Sequence, residues 1–443
     1  MEKYFLETSQ MLGEHPILQE KESYKIKYIR VLEYFVLKYS KDSVWATSVL
    51  CLYIKKLLNN SEDYKYGISD LHKQAKDVIA TKFRPFKFFS YRYCLLMDCI
   101  FINAYDDKNK GEKIFEEILT IYHKRYHKKI QQLFSFLYDT SVPVDGIDKV
   151  DYLADGWKQN RAFLKSDPIK VIVTANMSAG KSTLLNALVG KKVNKTQNEA
   201  CTAKIHYIKN KPFEDSLCYE LDYLLDLDAD YQTLMEDNKN NQSNLITVGT
   251  HFRTVGKGAK RIWFIDTPGV NSSQDEWHKE LAEDTIKSVE SDLLIYLLNG
   301  ENIGTDDDRR HLIFISEHYQ GNIMFVVNKV DRFRKKEDSV QETLQTVEGE
   351  LSELGFTNPM VVPVSSYAAY LANMKIFGET LDEDEQDELD RMARKLKKEE
   401  YQFDTYYPDA IQKAVRVSCD TEEALLLMHS GVLQLEQIIY TTR

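Results

Sequence analysis

Ala175-Asn176-Met177-Ser178-Ala179-Gly180-Lys181-Ser182 follows the apolar run Ile169-Lys170-Val171-Ile172-Val173-Thr174 and leads into Thr183-Leu184-Leu185-Asn186-Ala187-Leu188. The first run reads as a buried strand and the last as the opening of a helix. The octet between them has the spacing of a phosphate-binding loop, with alanine in place of its first glycine. In such a loop the backbone N–H groups and the helix N-terminus point at phosphate oxygens. Asn176, Met177, Ser178, Ala179, Gly180, Lys181, Ser182 and Thr183 are therefore candidate nucleotide contacts. Lys181 would bring a cation to the β- and γ-phosphates, and the Ser182 hydroxyl would coordinate magnesium. An ordinary strand-to-helix turn is the plainer reading of the same residues, so the rest of the chain has to decide.

Downstream, apolar strands are expected at 203–208, 261–265, 293–298, 323–327 and 360–364, most of them separated by helical segments. This alternation predicts an α/β domain with a mostly parallel sheet and helices on both faces, spanning 168–443. Two interruptions read as insertions, one near 210–256 and the other at 378–400, where Asp382-Glu383-Asp384-Glu385 precedes Arg394-Lys395-Leu396-Lys397-Lys398. Such charge runs are ordinarily solvated helix or loop.

Three further motifs follow in order, each at a strand end. Asp266-Thr267-Pro268-Gly269 puts a carboxylate where it can hold magnesium and a Gly269 N–H where it can sense the γ-phosphate. Asn328-Lys329-Val330-Asp331 supplies a carboxylate that accepts from guanine N1–H and N2–H, a pair adenine cannot offer. Ser365-Ser366 fits a loop that closes over the base. Thr202, between the phosphate loop and Asp266, is the candidate switch threonine that caps magnesium and the γ-phosphate. Singly each motif has a bland reading as a turn or strand end, but together they predict a site for GTP with Mg2+.

The first 146 residues carry helical periodicity. Tyr28, Val31, Leu32 and Phe35 share one face, and Asp42 or Ser43 can cap a second helix through Val44, Val49, Leu52 and Tyr53. A third run ends before Pro85, a fourth covers about 88–104, and a fifth is expected at 112–137. This predicts an all-α bundle over 1–146, joined by a connecting helix at 147–167. Its aromatic residues read as core rather than as a ligand box.

Composition narrows the function further. The chain has 443 residues, 43% hydrophobic and 29% charged, with a formal net charge of -11. That acidity argues against broad nucleic-acid binding. Six cysteines form no CxxC pair or zinc spacing, as expected of reduced thiols in a cytoplasmic protein. The most apolar stretch, Cys94 to Ile102, is too short to span a bilayer and carries Asp98, and Met1-Glu2-Lys3-Tyr4 lacks a signal-peptide layout. Any membrane contact is expected to be peripheral. The basic stretch His123 to Lys129 can touch anionic lipid, although a solvated helix face is the commoner role.

The phosphate loop with its continuation Ser-Thr-Leu-Leu-Asn-Ala-Leu-Val-Gly resembles those of translation-factor-related P-loop GTPases. Glu199-Ala200-Cys201-Thr202-Ala203 and Gly304-Thr305-Asp306-Asp307-Asp308 resemble the dynamin-like branch, and Ser430 to Glu436 resembles the start of its last helix. The resemblance covers roughly Pro168 onward. It implies a large GTPase of the bacterial dynamin type that turns over without an exchange factor. It also implies stimulation when two GTPase domains dimerise, and action at membranes. By the same resemblance Lys181, Ser178 and Thr202 are the candidate catalytic residues, Ser182, Thr202 and Asp266 the metal ligands, and Ser178 helps hold a monovalent cation. Two positions depart from the pattern. Met177 stands where dynamins place a water-positioning glutamine, and Val270 stands where Ras-like enzymes place theirs. Slow basal hydrolysis is expected, and a GTP-gated scaffold with little turnover is the alternative. A ribosome-linked GTPase of the Era type would need a basic RNA-binding appendage. Dynamin relatives continue into a helical stalk, so ending at Arg443 implies either that the helical part precedes the domain or that the chain is a fragment.

Overall fold

The structure of the protein, a computed structural model, describes residues 12, 15–58, 91–147, 150–194, 204–222, 225–232, 234, 244–254, 260–269, 276–334, 339–415 and 420–443. It divides into two compact units, Met1–Ser166 with Leu225–Asp228, and Asp167–Leu224 with Ala229–Arg443.

The first unit is helical. Its described helices are α1 (Glu22–Tyr39), α2 (Val44–Leu57), α3 (Arg92–Ala104), α4 (Lys108–Ile121), α5 (His127–Tyr138) and α6 (Asp151–Lys165). Ser43 caps α2 by accepting from the Ala46 N–H, and Asp107 caps α4 by accepting from Lys110. All thirteen residues of α3 are buried, and α1, α2, α4 and α5 pack around it. A helix apolar on every side is what a bundle centre requires. Its one carboxylate, Asp98, is paired: His15 Nε2 lies 2.9 Å away, Tyr53 Oη donates at 2.8 Å, and Tyr28 Oη donates as well.

The run expected as one helix over 112–137 is two. Tyr122 leaves the helical region at φ -105 and ψ 149, and His123 Nδ1 accepts from the Arg125 N–H at 3.3 Å, starting a short turn at Lys124–Tyr126. No glycine or proline marks this break, because a side chain supplies the local hydrogen bond that ends the helix. The basic stretch therefore spans a turn and the start of α5 rather than one helix face.

Among the described residues of the second unit, eight strands lie side by side. They are β1 (Ile169–Ala175), β2 (Ile205–Lys211), β3 (Tyr219–Leu221), β4 (Leu245–His251), β5 (Ile262–Asp266), β6 (Leu293–Asn299), β7 (Ile323–Asn328) and β8 (Met360–Pro363), in the order β3-β4-β2-β5-β1-β6-β7-β8. All pairings are parallel except β2 with β5 and β3 with β4. The α/β expectation holds, with one correction: the stretch near 210–256 is not simply a polar insertion but contributes β3 and β4. Residues 246–250 of β4 are all buried, so the strand lacks the in–out alternation that would flag it.

The helices of this unit are α7 (Lys181–Val189), α8 (Glu276–Ser288), α9 (Asp306–His318), α10 (Val340–Glu353), α11 (Ser366–Ile376), α12 (Glu383–Leu396), α13 (Asp409–Ala414), α14 (Glu422–His429) and α15 (Val432–Thr441). The acidic-then-basic segment at 378–400 forms α12. Asp382 and Glu385 make a reciprocal capping box at its start, and Leu389, Met392, Ala393 and Leu396 are buried against the core. Its charge order also follows the helix dipole, acidic first and basic last. Among the described residues no helix is long and apolar enough to cross a membrane.

Candidate functional site

Parallel strands carry their following loops to the same edge of the sheet. Val173 of β1 is in register with Asp266 of β5, and Asn299 of β6 with Asn328 of β7. The phosphate loop, Asp266-Thr267-Pro268-Gly269, Asn328 to Asp331 and Ser365-Ser366 therefore all meet at the C-terminal edge, although they are far apart in sequence.

The phosphate loop is shaped by two residues of positive φ, Ser178 at 62° and Gly180 at 93°. A side chain at Gly180 would also strike the Asn328 amide, so both backbone conformation and space require glycine there. Lys181 opens α7 and is buried, and its ammonium pairs with the fully buried carboxylate of Asp266. Thr267 is tied to β1, its hydroxyl donating to the Val173 carbonyl at 3.2 Å. Gly269 sits against Met177, and a Cβ at Gly269 would lie 3.3 Å from Met177 Cγ.

Asn328 joins two loops. Its Nδ2 donates to the Ala179 carbonyl at 2.8 Å, and its Oδ1 accepts from the Ser366 N–H at 3.0 Å. Lys329 adopts φ 64° and leads into a short turn, Val330–Arg332, that carries Asp331. Asp331 is 3% exposed, and burial raises its carboxyl above the usual range, opposed by Ser365 and by the positive charges of Arg332 and Arg391. Ser365 is buried and caps α11 by accepting from the Ala368 N–H. The Ser366 hydroxyl is buried with no hydrogen-bond partner among the described residues. A desolvated carboxylate at the mouth of a loop cluster is what a base bearing two adjacent N–H groups would satisfy.

Thr202 and Val270 lie outside the described residues. Ser182 and Asp266 offer hard oxygen donors, a hydroxyl and a carboxylate, which suit Mg2+.

Sequence reading missed several supporting residues. Asn194 Nδ2 donates to Asp266 Oδ2 at 3.1 Å, on the side opposite Lys181. Asn186, within α7, fixes Asn194: its Oδ1 accepts from the Val193 and Asn194 N–H groups, and its Nδ2 donates to the Asn194 carbonyl. Asn176 Nδ2 reaches Thr305 Oγ1 at 3.4 Å, and Thr305 caps α9. The Leu-Leu-Asn-Ala-Leu spacing put Asn186 on α7, but nothing in it announced a polar partner nearby. A separate buried cluster in the first unit, His15, Cys94 and Asp98, has metal-ligand chemistry. However, His15 Nδ1 accepts from the Ile17 N–H at 3.1 Å, so its Nε2 carries the proton and donates to Asp98. Burial pushes the Cys94 thiol well above its usual range. Both features describe a hydrogen-bonded core network.

The fold and the gathered loops define a P-loop GTPase domain. Residues 171–330 match the profile of the Dynamin family, to whose GTPase domain this segment is similar. Dynamin-like protein A of Bacillus subtilis (strain 168) is 25% identical over 197 residues, covering 43% of this chain and 16% of that protein. GTPase Era of Clostridium perfringens is 25% identical over 203 residues, covering 45% of this chain and 50% of that protein. The chain thus spans half or less of the length of these relatives. A solved structure described as an oligomerised bacterial dynamin pair is 14% identical, with a TM-score of 0.39, covering 90% of this chain and 59% of that one.

Proposed function

We propose that the protein binds GTP with Mg2+ and hydrolyses it to GDP and phosphate. The observation that carries this reading is the position of Asn328, which links the phosphate loop at Ala179 to the base loop at Ser366 beside the buried Asp331. Such a bridge supports reading the two loops as a phosphate cradle and a guanine-reading carboxylate of one site.

In this mechanism the backbone N–H groups of 177–183 and the α7 N-terminus hold the phosphates. Lys181 turns from Asp266 to the β- and γ-phosphates, which frees the carboxylate. Ser182, Asp266 and Thr202 are the residues that would hold Mg2+, which when bound neutralises charge on the phosphoryl group. Asn194 keeps Asp266 oriented while Lys181 leaves it. Water attacks the γ-phosphorus, a P–O bond to it forms as the bond to the β,γ-bridging oxygen breaks, and the water's proton passes to a phosphate oxygen, leaving GDP and inorganic phosphate. Asp331 accepts from guanine N1–H and N2–H, the Lys329 stem lies along the base, and Ser365 and Ser366 close the loop around it. Ser178 would support a monovalent cation beside the phosphates. The protein pairs with a second copy through this domain to speed turnover, and it works peripherally at an anionic membrane surface.

The test is equilibrium binding of GTP, GDP and ATP with and without Mg2+. Guanine-nucleotide binding that Mg2+ strengthens for GTP, with ATP excluded, is the expected result; equal binding of ATP overturns it.

One observation favours a second reading. Met177, beside Gly269, has no group able to orient water, which suits a GTP-gated scaffold with little turnover. Hydrolysis per molecule that rises with protein concentration, as self-association predicts, separates the two.

A further inference from the structure

The turn that carries Asp331 is held from outside the strands and loops already assigned to the site. Val330–Arg332 is a single short turn, entered through Lys329 at positive φ and closed by the Phe333 N–H donating to the Val330 carbonyl at 3.2 Å. One turn with so little internal bonding does not fix a carboxylate by itself. Its exit is clamped. The Phe333 carbonyl accepts from Lys395 Nζ at 2.6 Å and from Tyr401 Oη at 3.0 Å, and the Lys395 ammonium lies 4.4 Å from the centre of the Tyr401 ring. One of these donors is charged, and such bonds are shorter and stronger than neutral ones. Lys395 belongs to α12, whose buried face, Leu389, Met392, Ala393 and Leu396, anchors the helix against α11 and α14. Arg391, one turn earlier on α12, acts on Asp331 with its positive charge.

We propose that Lys395 and Tyr401 are positioning residues for base recognition: by holding the Phe333 carbonyl they set where the Asp331 carboxylate stands and so determine how well guanine is told from other purines. This rests on the reading of the site as a guanine-nucleotide site. A shift of about 1 Å at a positioned group is enough to lose most of the advantage of good geometry. A carboxylate that must accept from two neighbouring N–H groups at once is more sensitive to such a shift than one that accepts a single bond. The acidic-then-basic segment that reads in sequence as a solvated insertion thus becomes part of the specificity apparatus.

The test compares GDP with inosine diphosphate, which lacks the 2-amino group but keeps the same phosphates. Their affinity ratio reports the second base hydrogen bond alone. It is measured by calorimetry on the full chain for wild type, Tyr401→Phe, Lys395→Met, Lys395→Arg and Asp331→Asn, with melting temperature recorded for each. Tyr401→Phe keeps the ring and removes only the hydroxyl, so it reports even if Lys395→Met folds poorly. The expected result is a GDP preference in wild type that falls about fivefold in Tyr401→Phe and further in Lys395→Met, and is largely restored in Lys395→Arg. A lowered melting temperature with an unchanged ratio in both variants, while Asp331→Asn loses the preference, overturns the inference and leaves the guanine site standing. Absence of any GDP preference in wild type instead overturns the guanine reading, and the inference with it.

Discussion

Asn328 Nδ2 donates to the Ala179 carbonyl at 2.8 Å across 149 residues of sequence. Through this bond the loop that would read the base and the loop that would cradle the phosphates are one construction. Neither loop is positioned by its own sequence alone, and each depends on the strand that delivers the other.

Replacing Asn328 with alanine removes both of its bonds and leaves the Ala179 carbonyl and the Ser366 N–H without their partner. The expected cost is about 1–3 kcal/mol of stability, with a loss of nucleotide affinity that is larger for GDP than for the isolated phosphates. Chemical denaturation and titration with fluorescent GDP measure the two effects separately.

Gly180→Ala adds a methyl group at φ 93° and against the Asn328 amide. Expected is destabilisation on the order of 1–3 kcal/mol and near-complete loss of nucleotide binding. A variant that binds GDP as wild type does would show that the loop relaxes without consequence.

Asp331 links pH to binding. Burial raises its carboxyl in the free protein, and only the ionised form accepts both guanine N–H bonds. GDP affinity should therefore fall as pH is lowered through this raised value. The unliganded fold, by contrast, loses stability as pH rises from the unfolded value of about 3.9 through the folded one. Asp331→Asn should remove this component from the binding profile while leaving that of the phosphates, and calorimetry at several pH values resolves it.

Glu436 on α15 is buried, and desolvation lifts its carboxyl to about 8, against a small opposing effect of the Thr254 hydroxyl. The folded protein then holds a proton that the unfolded chain releases near pH 4.5. Stability attributable to this group is complete below that pH and is lost progressively up to pH 8. Glu436→Gln should flatten the profile and stabilise the protein at pH 8 by on the order of a few kcal/mol. Thermal melts at pH 5 and pH 8 decide it, and an equal change at both contradicts it.

Much of the second unit was readable from order and spacing. Strands at 293–298 and 323–327 are continuous apolar runs, and Asp266 and Asn328 each end a strand, with Lys181 and Asp331 in the helix start and turn that follow a strand. Less readable was whatever depends on partners distant in sequence. β4 hid because residues 246–250 are all buried. Asn194 hid because its meaning is its bond to Asp266, 72 residues away. The charged residues of α12 are solvated on a helix, as the charge run suggests, but charge says nothing about Leu389 and Leu396 turning inward. In the first unit the break at Tyr122 is made by His123, a residue that sequence patterns do not treat as punctuation. Asp98 was noted as a flaw in an apolar stretch, whereas it is the acceptor around which Tyr28, Tyr53 and His15 assemble.

The most direct test of the central claim is phosphate release from GTP and from ATP, with Mg2+, over a range of protein concentrations and beside Lys181→Ala. Expected is slow release from GTP alone, absent in Lys181→Ala and rising per molecule with concentration. Release from ATP at a similar rate, or release from GTP that persists in Lys181→Ala, would contradict it.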